Sequence, residues 1–452
     1  MDEHADKIKT GLAQKIWIKL CSFFVNSFYK KIEITGSEIL DQDKPIILCA
    51  NHSNALADAV LLQYSSDQLI HPLARSGLFK NPFLKIILII WQAVPVYRRQ
   101  DAVDGEVNND QMFRKVHQML EKNQIIMVFP EGQSHSDGKL RQIRTGISRI
   151  VLSYKDKYGS YPDVVPVGLN FSHTTKFRSN VYINYGQAIT IDGSLQSNDE
   201  SHIKRLTDNV MEAMRDVIIE TDEADDLAFV SQLERFFALR HKKIRRRNLS
   251  QKFKSHKLLL NVKSSLNQHI PDEINKFKLH LKQFNRLCRK LGINDYNLNI
   301  TYNSRLIRRF ILKSLFTMLI MLPVGIWGFS NSFLPFYLTQ ILSGLFSKTD
   351  DQRDTSKILT GTFLFIAFWG LQTYLAYVFI GLYFSLIYFI SLVPASLVAL
   401  VIWHEHAKII DNLRVFFILI KKKGFRRYLI KKRKIIEQEL AGLLKQARRY
   451  KA

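Results

Sequence analysis

The chain has 452 residues, a formal charge of +25 and a pI near 9.8. That length exceeds one ordinary domain, so two or three regions are expected. The charge suits nucleic acid or an anionic membrane surface; long apolar runs in the last third favour the membrane, and nucleic acid ranks last. Three cysteines (Cys21, Cys49 and Cys288) lie far apart, show neither a metal spacing nor a disulfide framework, and fit a reducing compartment. The start, Met1-Asp2-Glu3-His4, lacks the charged-then-apolar pattern of a signal peptide.

Residues 11–30 read as a helix with Leu12, Ile16, Leu20, Phe23 and Phe24 near one side. Such a helix either lies in a membrane interface or packs on a core. Ile32-Glu33-Ile34 alternates and stops at Gly36, as a strand does. Pro45-Ile46-Ile47-Leu48 is short and branched enough for a buried strand. His52 then falls at that strand's end, before a helix that Asn54 or Ser53 can cap, with Asp58 in its first turn. A carboxylate beside a histidine holds the ring in one tautomer and stabilises the imidazolium, so the pair is a candidate general base. Residues six apart lie on different faces of a regular helix. His52 and Asp58 therefore meet only if the chain curls between them; otherwise they are a loop histidine and an ordinary helix-start aspartate.

Ile86 to Trp91 is apolar, and Val94-Pro95-Val96-Tyr97 reads as an edge strand delivering Arg98-Arg99, whose guanidinium forks suit a phosphate. Gln111–Leu120 reads as a helix. Ile125–Phe129 is a buried strand ending at Pro130-Glu131-Gly132-Gln133-Ser134-His135. There Glu131 can accept hydrogen bonds from substrate hydroxyls, and His135 rivals His52 as a base. Lys139, Arg141 and Arg144, ahead of a helix opening at Gly146, form either a phosphate site or a solvated loop. Val164–Phe171 is another buried strand, Val181–Gly186 a more peripheral one, and Ile203, Leu206, Val210, Met214 and Val217 a helical stripe. This alternation from about residue 32 to 220 predicts an α/β layered domain.

Four blocks occur in order: Asn51-His52…Asp58, Pro95-Val96-Tyr97-Arg98, Phe129-Pro130-Glu131-Gly132 and Val165-Pro166-Val167-Gly168. Together they resemble the glycerolphosphate acyltransferase family, which includes 1-acylglycerol-3-phosphate acyltransferases, over roughly residues 30–220. The form Phe-Pro-Glu-Gly-x-Ser-His is similar to that of membrane-bound glycerol-3-phosphate and dihydroxyacetone-phosphate acyltransferases. The resemblance implies transfer of a fatty acyl group from a thioester (acyl-CoA or acyl carrier protein, with no further cofactor and no metal) to a hydroxyl of glycerol-3-phosphate, giving lysophosphatidate. It makes His52 the general base and Asp58 its orienter, gives Arg98 the acceptor's phosphate, and has Glu131 and Gly132 shape the glycerol site. Asn51, Ser134, His135, Arg141 and Arg144 complete the expected substrate-binding set. Three departures stand out: five residues rather than four separate His52 from Asp58, Ala93 replaces a frequent glycine, and Gln133-Ser134 stand where many members carry Thr-Arg. Arg141 or Arg144 is expected to replace that missing arginine. Acylation of 1-acylglycerol-3-phosphate or dihydroxyacetone phosphate is the alternative reaction. A non-catalytic lipid-binding membrane scaffold is the rival class, which has no need of His52, Asp58 and Glu131 together.

Residues 221–305 are polar and helical, and Lys242-Lys243-Ile244-Arg245-Arg246-Arg247 suits either anionic headgroups or a solvated face. Ile307–Phe329 is long enough to span a bilayer; Ser330-Asn331-Ser332 reads as a turn and Phe333–Phe346 as a shorter apolar piece. Ile358–Trp403 is too long for one helix and is expected to turn near Gly381 or Ser391. From His404 to Ala452, fifteen Lys and Arg stand against four Asp and Glu, which marks a cytoplasmic end. With the catalytic domain expected on the same side, the number of spans is even: four, or two if Phe333–Phe346 and its partner only sit in the interface. The expected layout is an N-terminal amphipathic helix (1–31), an α/β acyltransferase domain (32–220), a polar helical region (221–305), two transmembrane hairpins (306–403) and a basic cytoplasmic tail (404–452). Membrane lipids, the acyl donor and a phosphorylated glycerol acceptor are the expected partners.

Overall fold

Seven strands form one sheet in the first part of the chain: β1 (Lys31–Thr35), β2 (Ile46–Ala50), β3 (Ile70–Arg75), β4 (Val94–Val96), β5 (Ile125–Val128), β6 (Asp163–Phe171) and β7 (Asn180–Tyr185). Their order is β1-β7-β6-β2-β5-β3-β4, with β6 and β7 antiparallel and every other pair parallel. This computed structural model describes residues 11–97, 109–135, 138–173, 178–221, 226–240, 248–290, 304–346, 350–421 and 423–450. The chain divides into two units. The first is Met1–Ala224 with Asn248–Lys254 and Asp350–Thr355, and the second is the remainder.

Side-chain alternation along β2 explains why the sheet is covered on both faces. Ile47 and Cys49 join a core with α4 (Asp110–Glu121), α5 (Gly146–Tyr158) and α6 (Glu200–Val217). Ile46, Leu48 and Ala50 face the opposite core with α1 (Leu12–Phe28), α2 (Leu56–Tyr64) and α3 (Pro82–Ile90). All five β2 residues have no solvent exposure, as expected of a central strand covered twice. Fully burying a branched aliphatic side chain is worth about 1.5–3 kcal/mol. A one-residue slip would exchange the two sets, so this packing holds the register that places residue 52 beyond the sheet.

The helix α1 packs one face on the core and leaves an apolar face exposed. Trp17, Cys21 and Val25, four apart, enter the core, and Trp17 meets Trp91 with ring centroids 4.9 Å apart. Leu12, Ile16, Leu20, Phe23 and Phe24 remain exposed. The strand β3 is the element missing from the sequence reading. Its Pro72 and His71 disguise it, although it pairs with both β4 and β5.

Beyond the sheet the chain is helical: α7 (Asp226–Arg240), α8 (Leu249–His269), α9 (Pro271–Lys290), α10 (Ser304–Phe346), α11 (Asp350–Ile380), α12 (Leu382–Lys421) and α13 (Lys423–Tyr450). The expected turn at Ser330-Asn331-Ser332 is absent, because these residues lie inside the continuous α10. Their polar groups find protein partners instead of water. Asn331 donates to the Trp327 carbonyl one turn back and accepts from Tyr388 of α12, while Ser332 meets Ser396. The long apolar run does turn at Gly381, whose φ is +81°. Among the described residues three helical stretches are long and apolar enough to cross a membrane, Leu319–Gly344, Thr360–Ile380 and Leu382–Ile402, against the four expected. The basic C-terminal stretch is not a loose tail: Leu429, Ile436, Leu440 and Leu443 of α13 share a core with Phe277, Leu281 and Phe284 of α9.

The carboxylate of Glu33 on β1 caps the start of α8, accepting from the main-chain N–H groups of Leu249 (2.7 Å) and Ser250 (3.0 Å). Burial works against its charge, yet these donors together with Ser250 and Lys31 side chains bring its pKa down to about 2. A folded-state value below the unfolded one stabilises at neutral pH and is lost as pH falls through the folded value. Glu33→Gln is therefore expected to weaken this helix start by about 1 kcal/mol, the usual size of a lost cap. Hydrogen exchange should show faster exchange at the Leu249 and Ser250 amides. In the unaltered protein that protection should fade only as pH drops from the ordinary carboxylate range toward about 2.

Candidate active site

His52 stands two residues past the end of β2, and Glu131 three past the end of β5. Adjacent parallel strands thus deliver both to the carboxyl edge of the sheet, where open α/β folds bind ligands. The His52 Nδ1 lies 3.0 Å from Asp58 Oδ2. A carboxylate accepts, so Nδ1 carries the hydrogen and Nε2 is left to take a proton. Asp58 has no solvent exposure, and its Oδ2 also accepts from the Asn54 N–H at 2.7 Å. Burial pushes the Asp58 carboxyl above its ordinary range, while the His52 ring and the Asn54 and Ser53 main chain pull it back. The His52 ring also stacks on Phe129, with centroids 4.2 Å apart and planes 21° from parallel.

The required curl between His52 and Asp58 is made by Ala55, with φ 45° and ψ −123°. This turn conformation normally belongs to glycine. Ala55, and neither Asn54 nor Ser53, is the residue flanking the first turn of α2, and no side chain caps that end. Asp58 reaches back past that end to the Asn54 N–H.

Several expected substrate-binding residues have protein partners. The Asn51 side chain pairs with the main chain of Leu169 in both directions, accepting from its N–H at 2.8 Å and donating to its carbonyl at 3.2 Å. Glu131 is buried; its Oε1 accepts from the His52 N–H at 2.8 Å, and its Oε2 from the Arg141 N–H at 3.0 Å and from the His135 ring. His135 is also buried, with its Nε2 engaged by Glu131, whereas the His52 ring is partly exposed. The half-buried Ser134 lies in the same turn.

Gly132 has φ +74°, and a Cβ built there would come 2.7 Å from Arg144 Nε. The exposed Arg144 side chain therefore lies against Gly132 in the loop that follows β5. Its main chain is anchored there too, the Arg144 N–H donating to the Pro130 carbonyl at 2.8 Å. Arg141 is exposed nearby. Arg98 falls outside the described residues. Neither Phe129 as a stacking platform nor Ala55 as the turn residue was foreseen. Phe129 reads as one more apolar strand residue, and alanine carries no signal for positive φ.

Residues 31–170 match the family model described as Acyltransferase, so this stretch is an acyltransferase-family domain. Among curated proteins, this chain is 29% identical over 143 residues to glycerol-3-phosphate O-acyltransferase 1 of Saccharomyces cerevisiae, covering 29% of this chain and 18% of that protein. It is 28% identical over 163 residues to 1-acyl-sn-glycerol-3-phosphate acyltransferase of Borreliella burgdorferi, covering 36% of this chain and 59% of that protein. A crystal structure of the 1-acyl-sn-glycerophosphate (LPA) acyltransferase of Thermotoga maritima aligns with a TM-score of 0.33 and 18% identity, over 45% of this chain and 80% of that one.

The turn at Ala55 is directly testable. Strain of this kind costs about 1–3 kcal/mol in a non-glycine residue. Ala55→Gly should raise the melting temperature. Ala55→Val should lower it and also displace His52 from Asp58, visible as a changed imidazole NH resonance.

Proposed function

We propose that this chain is a membrane-bound acyltransferase that moves a fatty acyl group from a thioester to a hydroxyl of glycerol-3-phosphate, giving lysophosphatidate. The observation that carries this reading is the His52–Asp58 pair, 3.0 Å apart, at the carboxyl edge of the sheet. The hydroxyl loses its proton to His52 Nε2 as its oxygen attacks the thioester carbonyl. The tetrahedral intermediate then collapses, the C–S bond breaks, and the thiolate takes the proton back from the imidazolium. Asp58 holds the ring throughout and stabilises its charged form. The transfer so described calls for no cofactor beyond the thioester, supplied as acyl-CoA or on acyl carrier protein.

The acceptor's phosphate is assigned to Arg144, with Arg141 beside it. A guanidinium presents a planar fork to an oxyanion, and Arg144 lies against Gly132 in the loop next to the histidine. It takes the part of the arginine that Gln133-Ser134 do not provide. Glycerol-3-phosphate is favoured as acceptor by the Phe129–His135 form and by the names of the yeast relatives. The Borreliella relative supports 1-acylglycerol-3-phosphate as the second reading.

A membrane setting is supported by the three apolar helical stretches. The first unit adds exposed Leu12, Ile16, Leu20 and Phe23 on α1, and Ile86 and Ile89 on α3. With Lys15, Lys19 and Lys85 among them, these surfaces suit an anionic bilayer face. The catalytic domain and the C-terminus are assigned to the cytoplasm, where activated acyl donors and glycerol phosphate occur.

Acyl transfer by the purified full chain in detergent, with labelled acyl-CoA and then acyl carrier protein as donors, tests this. Glycerol-3-phosphate, dihydroxyacetone phosphate and 1-acylglycerol-3-phosphate are offered separately. Product should form with glycerol-3-phosphate and fall by about 10²–10⁴ in His52→Ala, the worth of a general base. Arg144→Ala should raise KM for the phosphorylated acceptor more than Arg141→Ala does. Full activity in His52→Ala would end the reading.

A further inference from the structure

The two histidine-bearing loops are joined by one carboxylate and by each other's main chain. His52 donates its N–H to Glu131 Oε1 at 2.8 Å. Its carbonyl accepts the His135 N–H at 3.0 Å. Glu131 Oε2, on the other side of the carboxylate, accepts from the His135 ring and from the Arg141 N–H. Both main-chain polar groups of His52 are thus held by the stretch 131–135, while its ring is held by Asp58 and Phe129. Glu131 is 5% exposed and His135 9%, so neither presents an open polar face to an acceptor molecule.

We propose that His135 is a positioning residue, which acts through Glu131 to fix the backbone of His52. The proposal rests on the reading of His52 as the base. A carboxylate can only accept, so the His135 Nε2 bears the hydrogen directed at Glu131. That donor fixes the rotation of the carboxyl group, which in turn aims Oε1 at the His52 N–H. Without it the carboxylate is free to turn toward the Arg141 N–H alone, and the loop bearing His52 loses one of its two backbone ties. A buried acceptor left short of donors also has reason to rearrange. A base displaced by about 1 Å can lose on the order of 10²-fold in rate. The effect should fall on turnover, because the acceptor itself touches neither Glu131 nor His135.

The test compares the full-length unaltered protein with His135→Ala and His135→Gln in detergent. Three quantities are read: kcat, KM for glycerol-3-phosphate, and hydrogen exchange at the His52 amide. His135→Ala should lower kcat by roughly 10- to 100-fold, leave the acceptor KM within about twofold, and speed exchange at the His52 amide. His135→Gln keeps an N–H donor and should restore most of both kcat and amide protection. A raised acceptor KM with unchanged kcat would show substrate contact and overturn the proposal, as would unaltered amide exchange in His135→Ala. Should that variant not fold, His135→Asn, whose amide is too short to reach Glu131, is read by the same criteria. Activity surviving in His52→Ala would remove the function reading, while the exchange at the His52 amide would still decide whether the clamp exists.

Discussion

A carboxylate with no access to water governs the loop from His52 to Asp58. An ion taken out of solvent costs several kcal/mol unless donors meet its oxygens. For Asp58 the donors are the His52 ring and the Asn54 N–H, both at Oδ2. Both lie within six residues of it in sequence, so satisfying the carboxylate means folding the chain back on itself. Ala55 makes that fold with a backbone conformation few side chains adopt. The same closure turns the His52 ring onto Phe129. Tautomer, ring plane and loop path thus follow from a single buried charge.

The central strands were legible because the physics that forms them is local. Ile46–Leu48 and Ile125–Val128 are apolar throughout and Val164–Phe171 is so apart from Asn170, as suits strands covered on both faces. His52 was legible as a strand-end residue for the same reason. Its contact with Asp58 was legible only as a condition, since an alanine at the turn gives no sign that the chain will curl. The roles of Asn51 and Glu131 were harder still. A polar residue near a strand end looks alike whether it faces a ligand or a neighbouring loop. The Asn51 amide proves to match the Leu169 main chain, and the Glu131 carboxylate the His52 N–H. Those partners lie 118 and 79 residues away, beyond any pattern of spacing.

The apolar third shows the converse. Ser330-Asn331-Ser332 has the composition of a turn in water. In α10 the Asn331 side chain bonds to Trp327 and Tyr388, and Gln372 of α11 donates to the Asn331 carbonyl. A polar cluster among apolar helices therefore ties three of them together. Gly328 lies where α10 approaches the Ala395 backbone of α12 too closely for any side chain, and Gly325 lies against the tip of the Ile402 side chain. Small residues at such a crossing are what close helix packing in lipid requires. Gly381, by contrast, was readable as a turn because its positive φ is the conformation glycine alone supplies at little cost.

The core shared by α9 and α13 has a consequence for how this chain can be threaded through a bilayer. One helix precedes the apolar stretches and the other follows them, yet Phe284 and Leu440 belong to the same cluster. Segments in contact occupy the same aqueous compartment. Once the apolar helices enter a bilayer, the chain must come back out of the face through which it went in, as a stitch returns to its own side of the cloth. The tally of passes between Ser304 and Lys421 is then even. Among the described residues three apolar stretches are long enough to cross, and an even tally leaves one of those three without a full crossing.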